Sequence, residues 1–402
     1  MSERRAMDFR LTEEEEAFRL EVEQFLRESL PADWPGPVGM FHEEAVEDIF
    51  QMGVEMRREM AAKGWIGISW PKEYGGGGDS IVKQMILEEL LNYWSAPGYD
   101  QYSMVLAGPL ILMFGTEDQK KRFITPITRG EERWAIGMSE PNAGSDLANL
   151  ETRAVEEDDC FVLNGQKTWQ SGANHSDWCM VYARTDPDVA KHKGITCFLV
   201  SLRSPGVTIR KLDQMGGLSI LNEVFYDNVR VPKENVLGGL NKGWTVAVSS
   251  LSSERTFGVL LVNACRQDLD QLVRYCRETY VNGQLLAKDP IIRNRLGEMA
   301  IEIEVGRTMA WKLNWMVATG KPIVVEGSES RLYGTALVQR LTNVGMQIMG
   351  LYGQLDEESK WTRLRGRMMD SYLLATAAGI WSGTSEMSKN TVAGFGLGLP
   401  RG

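Results

Sequence analysis

Histidine is scarce in this 402-residue chain, which has only three, and its five cysteines include no Cys-x-x-Cys pair. Zinc sites, iron–sulfur clusters and Ser-His-Asp catalysis therefore lack obvious material. Cys160, Cys179, Cys197, Cys265 and Cys276 read instead as reduced, buried, small apolar residues. His175 and His192 lie in polar loop sequence, where solvent-facing side chains are expected. Lysine and arginine form no cluster, and the net charge is -10, so a nucleic-acid surface is excluded as the main partner site. No run approaches the roughly 20 apolar residues that span a bilayer. The start, Met1-Ser2-Glu3-Arg4-Arg5-Ala6-Met7-Asp8, has no apolar core, and Glu13 to Glu16 follow, which fits neither a signal nor a transit peptide. A cytoplasmic location is the expectation. The glycine run Gly75 to Gly78 lacks the Lys-Ser/Thr of a P-loop and reads as a structural turn.

What is present is ordinary globular composition, 43% hydrophobic and 24% charged, in a chain long enough for two or three domains. Periodicity divides it into three: a helical N-terminal domain over 1–133, a β domain over 134–240 and a helical domain over 241–402. Thr12 followed by Glu15 forms a capping box ahead of the apolar stripe Phe18, Val22, Phe25, Leu26. In the middle third, short apolar runs (Cys160 to Leu163, Trp178 to Ala183, Ile195 to Val200, Glu223 to Tyr226) are separated by turn residues, with Asn164-Gly165 as the hairpin signal. No helix between them is long enough for a crossover, so an antiparallel β-barrel or sandwich is expected and a Rossmann domain is disfavoured. Beyond Gly243 the faces Phe257, Leu261, Cys265, Leu269, Leu272, Cys276 and Met299, Ile303, Gly306, Leu313, Met316 predict long helices. Asp289-Pro290 caps one, Ser328 is the expected N-cap of another, and four such antiparallel helices would form a bundle. The fold class is mostly α with a central β domain.

Four segments carry the candidate chemistry. Met138-Ser139-Glu140-Pro141-Asn142-Ala143-Gly144-Ser145-Asp146 offers backbone N–H groups with little side chain to obstruct an anion. In Asn164-Gly165-Gln166-Lys167-Thr168-Trp169-Gln170-Ser171, the Trp169 indole is a flat apolar wall with a hydroxyl two residues on. The others are Gln347-Ile348-Met349-Gly350-Leu351-Tyr352-Gly353 and Ile380-Trp381-Ser382-Gly383-Thr384-Ser385-Glu386, where Thr384 also reads as a helix N-cap.

Across nearly its whole length the chain resembles the acyl-CoA dehydrogenase family. The resemblance implies bound FAD. It puts Ile136, Met138, Ser139, Gly144, Ser145, Trp169 and Ser171 at the flavin from the β domain, and Gln347, Gly350, Thr384 and Glu386 at it from the helical domain. It implies an acyl-CoA substrate met by Ser145, Arg255, Ser382 and Gly383. Ser382 stands where many members carry the glutamate base, and an unassisted hydroxyl is too weak for that role. In a minority of relatives the base comes from a Leu-x-x-Glu-Arg pattern after the β domain, and Leu251-Ser252-Ser253-Glu254-Arg255 matches it. Glu254 follows a charge-free stretch from Gly243 to Ser253, where a carboxylate is costly unless used or paired. A backbone N–H at Ser382 keeps its thioester-binding task. The family's Arg-x-x-Phe-Gly stretch aligns with Thr279-Tyr280-Val281-Asn282-Gly283, which lacks the arginine and leaves homotetramer and heterotetramer both open. The implied reaction is α,β-dehydrogenation to a trans-2-enoyl-CoA in fatty acid or acyl-CoA catabolism, with electrons passing to an electron-transfer flavoprotein. An oxidase or reductase on the same fold, or a non-catalytic subunit of a heteromer, are the alternatives.

Overall fold

A computed structural model describes residues 9–34, 43, 46–217, 219–254 and 257–400, apart from the side chains of residues 252–254, 257 and 259. The N-terminal part is helical: α1 (Glu13–Ser29), α2 (Glu47–Ala62), α3 (Ile81–Tyr93), α4 (Gly108–Phe114) and α5 (Glu117–Thr128). α1 begins at the expected capping box, with Glu15 N donating to Thr12 Oγ1 at 3.3 Å and Thr12 N donating to the Glu15 carboxylate at 2.7 Å. The glycine run is a structural turn. A Cβ at Gly76 would sit 2.4 Å from the Trp70 carbonyl oxygen and one at Gly77 2.6 Å from that of Ile68, so only glycine fits this close approach.

Eight strands form one sheet: β1 (Trp134–Gly137), β2 (Arg153–Glu156), β3 (Cys160–Lys167), β4 (Trp178–Arg184), β5 (Ile195–Ser201), β6 (Val207–Leu212), β7 (Leu221–Pro232) and β8 (Val236–Leu237). Their order is β6-β7-β3-β2-β4-β5-β8, with β1 paired to β4 off that path. Among the described residues no pairing joins β6 to β8, so the path is open where a barrel would close. The sheet is also not purely antiparallel, because β1–β4 and β2–β4 are parallel. Parallel partners need a long connection. Here residues 138–177 provide it between β1 and β4, and that connection holds both candidate segments of the β region. Phe161, Leu163, Val181, Phe198, Val200, Val224 and Val229 form the core on this sheet.

Asn164-Gly165 is not a hairpin turn. It lies inside β3, at a register shift opposite β7. Gly165 is there because a Cβ would meet Thr152 Oγ1 at 2.5 Å, and Asn164 bonds Asn228 across the strands.

The remaining elements are α6 (Gly243–Glu254), α7 (Phe257–Glu278), β9 (Tyr280–Val281), β10 (Gln284–Leu285), α8 (Pro290–Ala318), α9 (Val324–Met349), α10 (Arg367–Ala375) and α11 (Ser385–Thr391). The Asn-Gly hairpin signal is realised here, at Asn282-Gly283, whose φ values of 51° and 79° join β9 to β10. Leu261, Cys265 and Leu269 of α7, Met299 and Ile303 of α8, and Leu337 and Leu341 of α9 share one core. α7 and α9 approach backbone to backbone, since a Cβ on Gly258 would lie 2.6 Å from the Ser330 carbonyl oxygen. Asp289 caps α8 by accepting from Ile291 N and Ile292 N. Ser328 caps nothing: it is buried one turn inside α9, and its hydroxyl donates to the Val324 carbonyl.

By contacts the chain forms two compact units, one of residues 1–40, 80–96 and 255–402 and the other of 41–79 and 97–254. The N-terminal helices contribute to both: α1 and α3 to the first, α2, α4 and α5 to the second. Among the described residues no helix is long and apolar enough to cross a membrane. All five cysteines are free and buried. His192 is exposed, but His175 is half-buried and stacks on Phe50 with ring centroids 4.0 Å apart.

Candidate active site

In the unit that contains the sheet, β1 delivers Ile136 and then Met138 and Ser139 to its C-terminal end. Met138 is buried and Ser139 half-buried. Glu140 and Ala143 close a tight turn through reciprocal backbone bonds of 3.0 and 3.1 Å, and Gly144 and Ser145 are exposed immediately after it. A Cβ on Gly144 would meet nothing within 4 Å. A fully buried lysine anchors the turn from below. Lys167 Nζ donates to the Met138 carbonyl at 3.0 Å and to Glu140 Oε1 at 2.8 Å, while Glu140 also accepts from Glu151 N at 2.5 Å and Thr152 N at 2.9 Å. Burial pulls the Lys167 ammonium below its ordinary value, and the nearby Glu140 charge offsets only part of this. Burial also works against the Glu140 carboxylate, but the Lys167 charge, the Lys167 hydrogen bond and the Thr152 and Glu151 donors together hold it below the usual range.

The next residues turn sharply. Thr168 N donates to the Ser139 carbonyl at 2.9 Å, tying the end of β3 to the β1 loop. Trp169 follows with φ 61° and its side chain 61% exposed, and Gln170 N bonds the Asn222 carbonyl at 2.9 Å. A left-handed backbone at a bulky residue costs about 1–3 kcal/mol. Exposing an indole forgoes its burial as well. Burial of the ring within this chain recovers neither cost. Ser171, two residues on, is half-buried beside it in sequence.

In the other unit the candidate residues fall at two helix ends. Gln347, exposed in the last turn of α9, accepts from Arg295 and donates to Asn343 Oδ1 at 3.3 Å. Gly350 ends that helix at φ 58° and ψ -131°, a conformation suited to glycine. Leu351 next to it is 80% exposed. The segment Ser382-Gly383-Thr384 leads into α11, where Thr384 is the N-cap and accepts from Met387 N at 3.2 Å. Ser382 and Gly383 both have positive φ, 52° and 86°. The carbonyl just before them, that of Trp381, accepts from the buried guanidinium of Arg331, which also reaches Ala378 O and Ser388 Oγ. Glu386, in the first turn of α11, has its carboxyl held below the usual range by its own backbone N–H and by the Thr384 hydroxyl.

Glu254 is the last residue of α6, a helix that buries Val246, Ala247 and Ser250. Its side chain lies outside the described residues, as does Arg255.

Comparison with known proteins decides the family. Models for the N-terminal, middle and C-terminal domains of acyl-CoA dehydrogenase match residues 12–131, 135–229 and 241–397. The chain belongs to the acyl-CoA dehydrogenase family. A Mycolicibacterium smegmatis protein named acyl-CoA dehydrogenase IpdE1 is 34% identical, over 96% of this chain and 98% of its own. The solved structure named Tcur3481-Tcur3483 steroid ACAD is 30% identical with a TM-score of 0.89, covering 98% of this chain and 100% of that one. A 30% identical relative from Acetobacterium woodii, covering 88% and 92% of the two chains, is named caffeyl-CoA reductase-Etf complex subunit CarC. The protein is thus an oxidoreductase of the acyl-CoA dehydrogenase kind, with helical regions flanking a central β region.

Members of this family are flavoproteins, and the residues present fit a flavin ring. The open face of Trp169 supplies an apolar wall. Ser139, joined to its neighbour Thr168, supplies a polar edge, and the exposed Gly144-Ser145 segment leaves backbone N–H groups accessible. Reading the sequence missed the parts that hold these residues: Glu140, Lys167, Asn222 and Arg331. Lys167 had a detectable signal, since strand alternation from Phe161 and Leu163 puts it on the buried face of β3, where a charge calls for a partner. Among the described residues no group of three His, Cys, Asp or Glu side chains gathers as a metal ion would need.

Proposed function

We propose that this protein binds FAD and carries out α,β-dehydrogenation of an acyl-CoA thioester to a trans-2-enoyl-CoA, with electrons passed to an electron-transfer flavoprotein. The observation that carries the reading is the Trp169 indole, exposed in a left-handed backbone beside the Ser139 loop. The flavin-facing residues are Ile136, Met138, Ser139, Gly144, Ser145, Trp169 and Ser171 from the β region, and Gln347, Gly350, Thr384 and Glu386 from the helical region. The domain boundaries that go with this reading are 1–133, 134–240 and 241–402, the last built around a four-helix bundle. The Etf complex named for the Acetobacterium relative supports the electron-acceptor class, and the steroid ACAD supports a bulky ring-bearing acyl group as the first substrate class to test.

When bound, the flavin supplies the hydride acceptor for the β-carbon. The chain's own residues do the rest. Glu254 takes the α-proton, and it suits this role because the preceding turns of α6, from Gly243 to Ser253, contain no other charge to compete for or solvate the proton. The Ser382 backbone N–H donates to the thioester carbonyl oxygen as negative charge grows on it, with Gly383 alongside. Ser145 meets the flavin phosphate or the CoA pyrophosphate region, and Arg255 stands beside the substrate pocket. The test is Glu254→Gln under anaerobic conditions. The variant is expected to retain flavin and bind acyl-CoA, yet substrate no longer bleaches the flavin. Bleaching at the native rate would remove Glu254 from the mechanism. The relative named as a reductase favours a second reading, operation toward the saturated thioester, and it predicts faster reoxidation of reduced flavin by an enoyl-CoA than reduction by the acyl-CoA.

A further inference from the structure

The Trp169 turn needs support on both sides to persist, and its downstream support comes from Asn222. Asn222, at the start of β7, is fully buried. Its main chain exchanges two bonds with Gln170: Gln170 N donates to Asn222 O at 2.9 Å and Asn222 N donates to Gln170 O at 3.0 Å. Its side-chain Nδ2 adds bonds to Gln170 O at 3.0 Å, Asn174 Oδ1 at 3.0 Å and Ile220 O at 3.2 Å. Gly172 N donates to Ile220 O at 2.9 Å, so Gln170 and Gly172 are both fastened to the same short segment. The two N–H groups of one buried amide thus lie within reach of three acceptors, while its own Oδ1 is buried without a hydrogen-bond partner. A buried acceptor left unpaired is unfavourable. An apolar residue of the same shape would remove that penalty, so the donor is what the position needs. Gln170 is also fixed from its other face, accepting from Cys179 Sγ at 3.5 Å.

We propose that Asn222 is a positioning residue for the flavin-facing indole: through Gln170 it holds residue 169 in the left-handed conformation that turns the Trp169 ring outward. Upstream the Thr168–Ser139 bond fixes the other end, and between these two anchors the backbone at 169 cannot relax to negative φ. Strained residues persist where their surroundings over-determine them, and this is such an arrangement. The ligand half of the inference rests on the proposed flavin reading; the strain half does not.

The experiment therefore has two arms. In the first, Asn222→Leu is compared with the native protein by FAD titration and by the visible circular dichroism of the bound flavin, which reports ring environment. The expected result is an affinity weaker by about five- to tenfold, the size of one net hydrogen bond, and an altered dichroism band. Native protein that binds FAD alongside a variant with unchanged affinity and dichroism overturns the proposal; native protein that binds no FAD overturns the functional reading alone. The second arm needs no flavin. Trp169→Gly is expected to melt higher than Trp169→Ala in the native background, because both lose the indole but only alanine keeps the left-handed penalty. In the Asn222→Leu background the two should melt together. An alanine variant as stable as the glycine variant in the native background overturns the clamp, and this comparison stands even where Asn222→Leu does not fold.

Discussion

Replacing Lys167 by methionine tests the part of the site that is built most expensively. The lysine is fully buried and its carboxylate partner is 6% exposed, so the substitution leaves an ionised Glu140 in the interior and deprives the Met138 carbonyl of its Nζ donor. Breaking a buried pair from one side costs about 3–5 kcal/mol. Glu140 retains two backbone donors, Glu151 N and Thr152 N, so the lower end, about 3 kcal/mol, is expected here. Equilibrium urea unfolding followed by far-ultraviolet dichroism measures this as a lowered midpoint at unchanged slope. The double variant Lys167→Met with Glu140→Gln removes the orphaned charge and should regain part of the loss, giving a coupling of about 1–3 kcal/mol in the mutant cycle. A single variant that loses less than about 0.5 kcal/mol, as an ordinary surface substitution does, would refute the reasoning. The pair would then be no anchor for the Ser139 loop.

The same carboxylate predicts a pH dependence. Because Glu140 is held below its ordinary value of 4.5, the unfolded chain binds more protons than the folded one as pH falls past that value. Its stabilising contribution is complete above about pH 4.5 and disappears below it, so Glu140→Gln should flatten the acid limb of a stability–pH profile; an unchanged limb would contradict the assignment. Burial raises all five thiols, Cys179 to about 12 and Cys276 to about 11, so a thiol reagent at neutral pH should label none in the folded protein and all five in denaturant. Rapid labelling of the native chain would contradict their burial. Ser382→Gly should keep substrate bleaching of the flavin, since the N–H remains, and should gain up to about 1 kcal/mol by relieving a positive φ. Loss of bleaching with flavin retained would assign the work to the hydroxyl instead.

Local sequence signals told most where they were decided locally. The capping box at Thr12 and Glu15, the cap at Asp289 and the cap at Thr384 depend on residues within one helical turn of each other, and all three form. Asn164-Gly165 shows the opposite case. The dipeptide that marks a hairpin was used as a bulge because Thr152, twelve or more residues away, presses against Gly165, while the hairpin itself formed at Asn282-Gly283. Ser328 failed as a cap for a related reason: α9 begins four residues earlier, and the serine is spent inside it. Among the candidate residues, Ser139, Trp169 and Ser382 were legible because they sit in recognisable segments. Those behind them, Lys167, Asn222 and Arg331, act through bonds to backbone carbonyls, and a carbonyl acceptor leaves no trace in the sequence.

That difference bears on the missing glutamate. A loop whose purpose lay in the side chain at 382 would have little use for its present backbone. Yet Ser382 keeps a left-handed φ, at a cost of about 1–3 kcal/mol, with Gly383 left-handed after it and the Thr384 cap following. A fully buried arginine is directed at the carbonyl immediately before them, although hiding a guanidinium is itself unfavourable unless its donors are used. Both expenses fix main-chain direction and neither concerns the serine hydroxyl. The geometry is compatible with the N–H donor role proposed for Ser382, and it is indifferent to which side chain stands at the position. The carboxylate can therefore leave this loop without the loop losing its work, which makes a base on another helix, Glu254, compatible with an otherwise preserved loop. Ser382→Ala is then expected to be nearly silent in flavin bleaching, while Arg331→Met, which frees the Trp381 carbonyl, should weaken acyl-CoA binding more than flavin binding; the reverse order of severity would sink the backbone role.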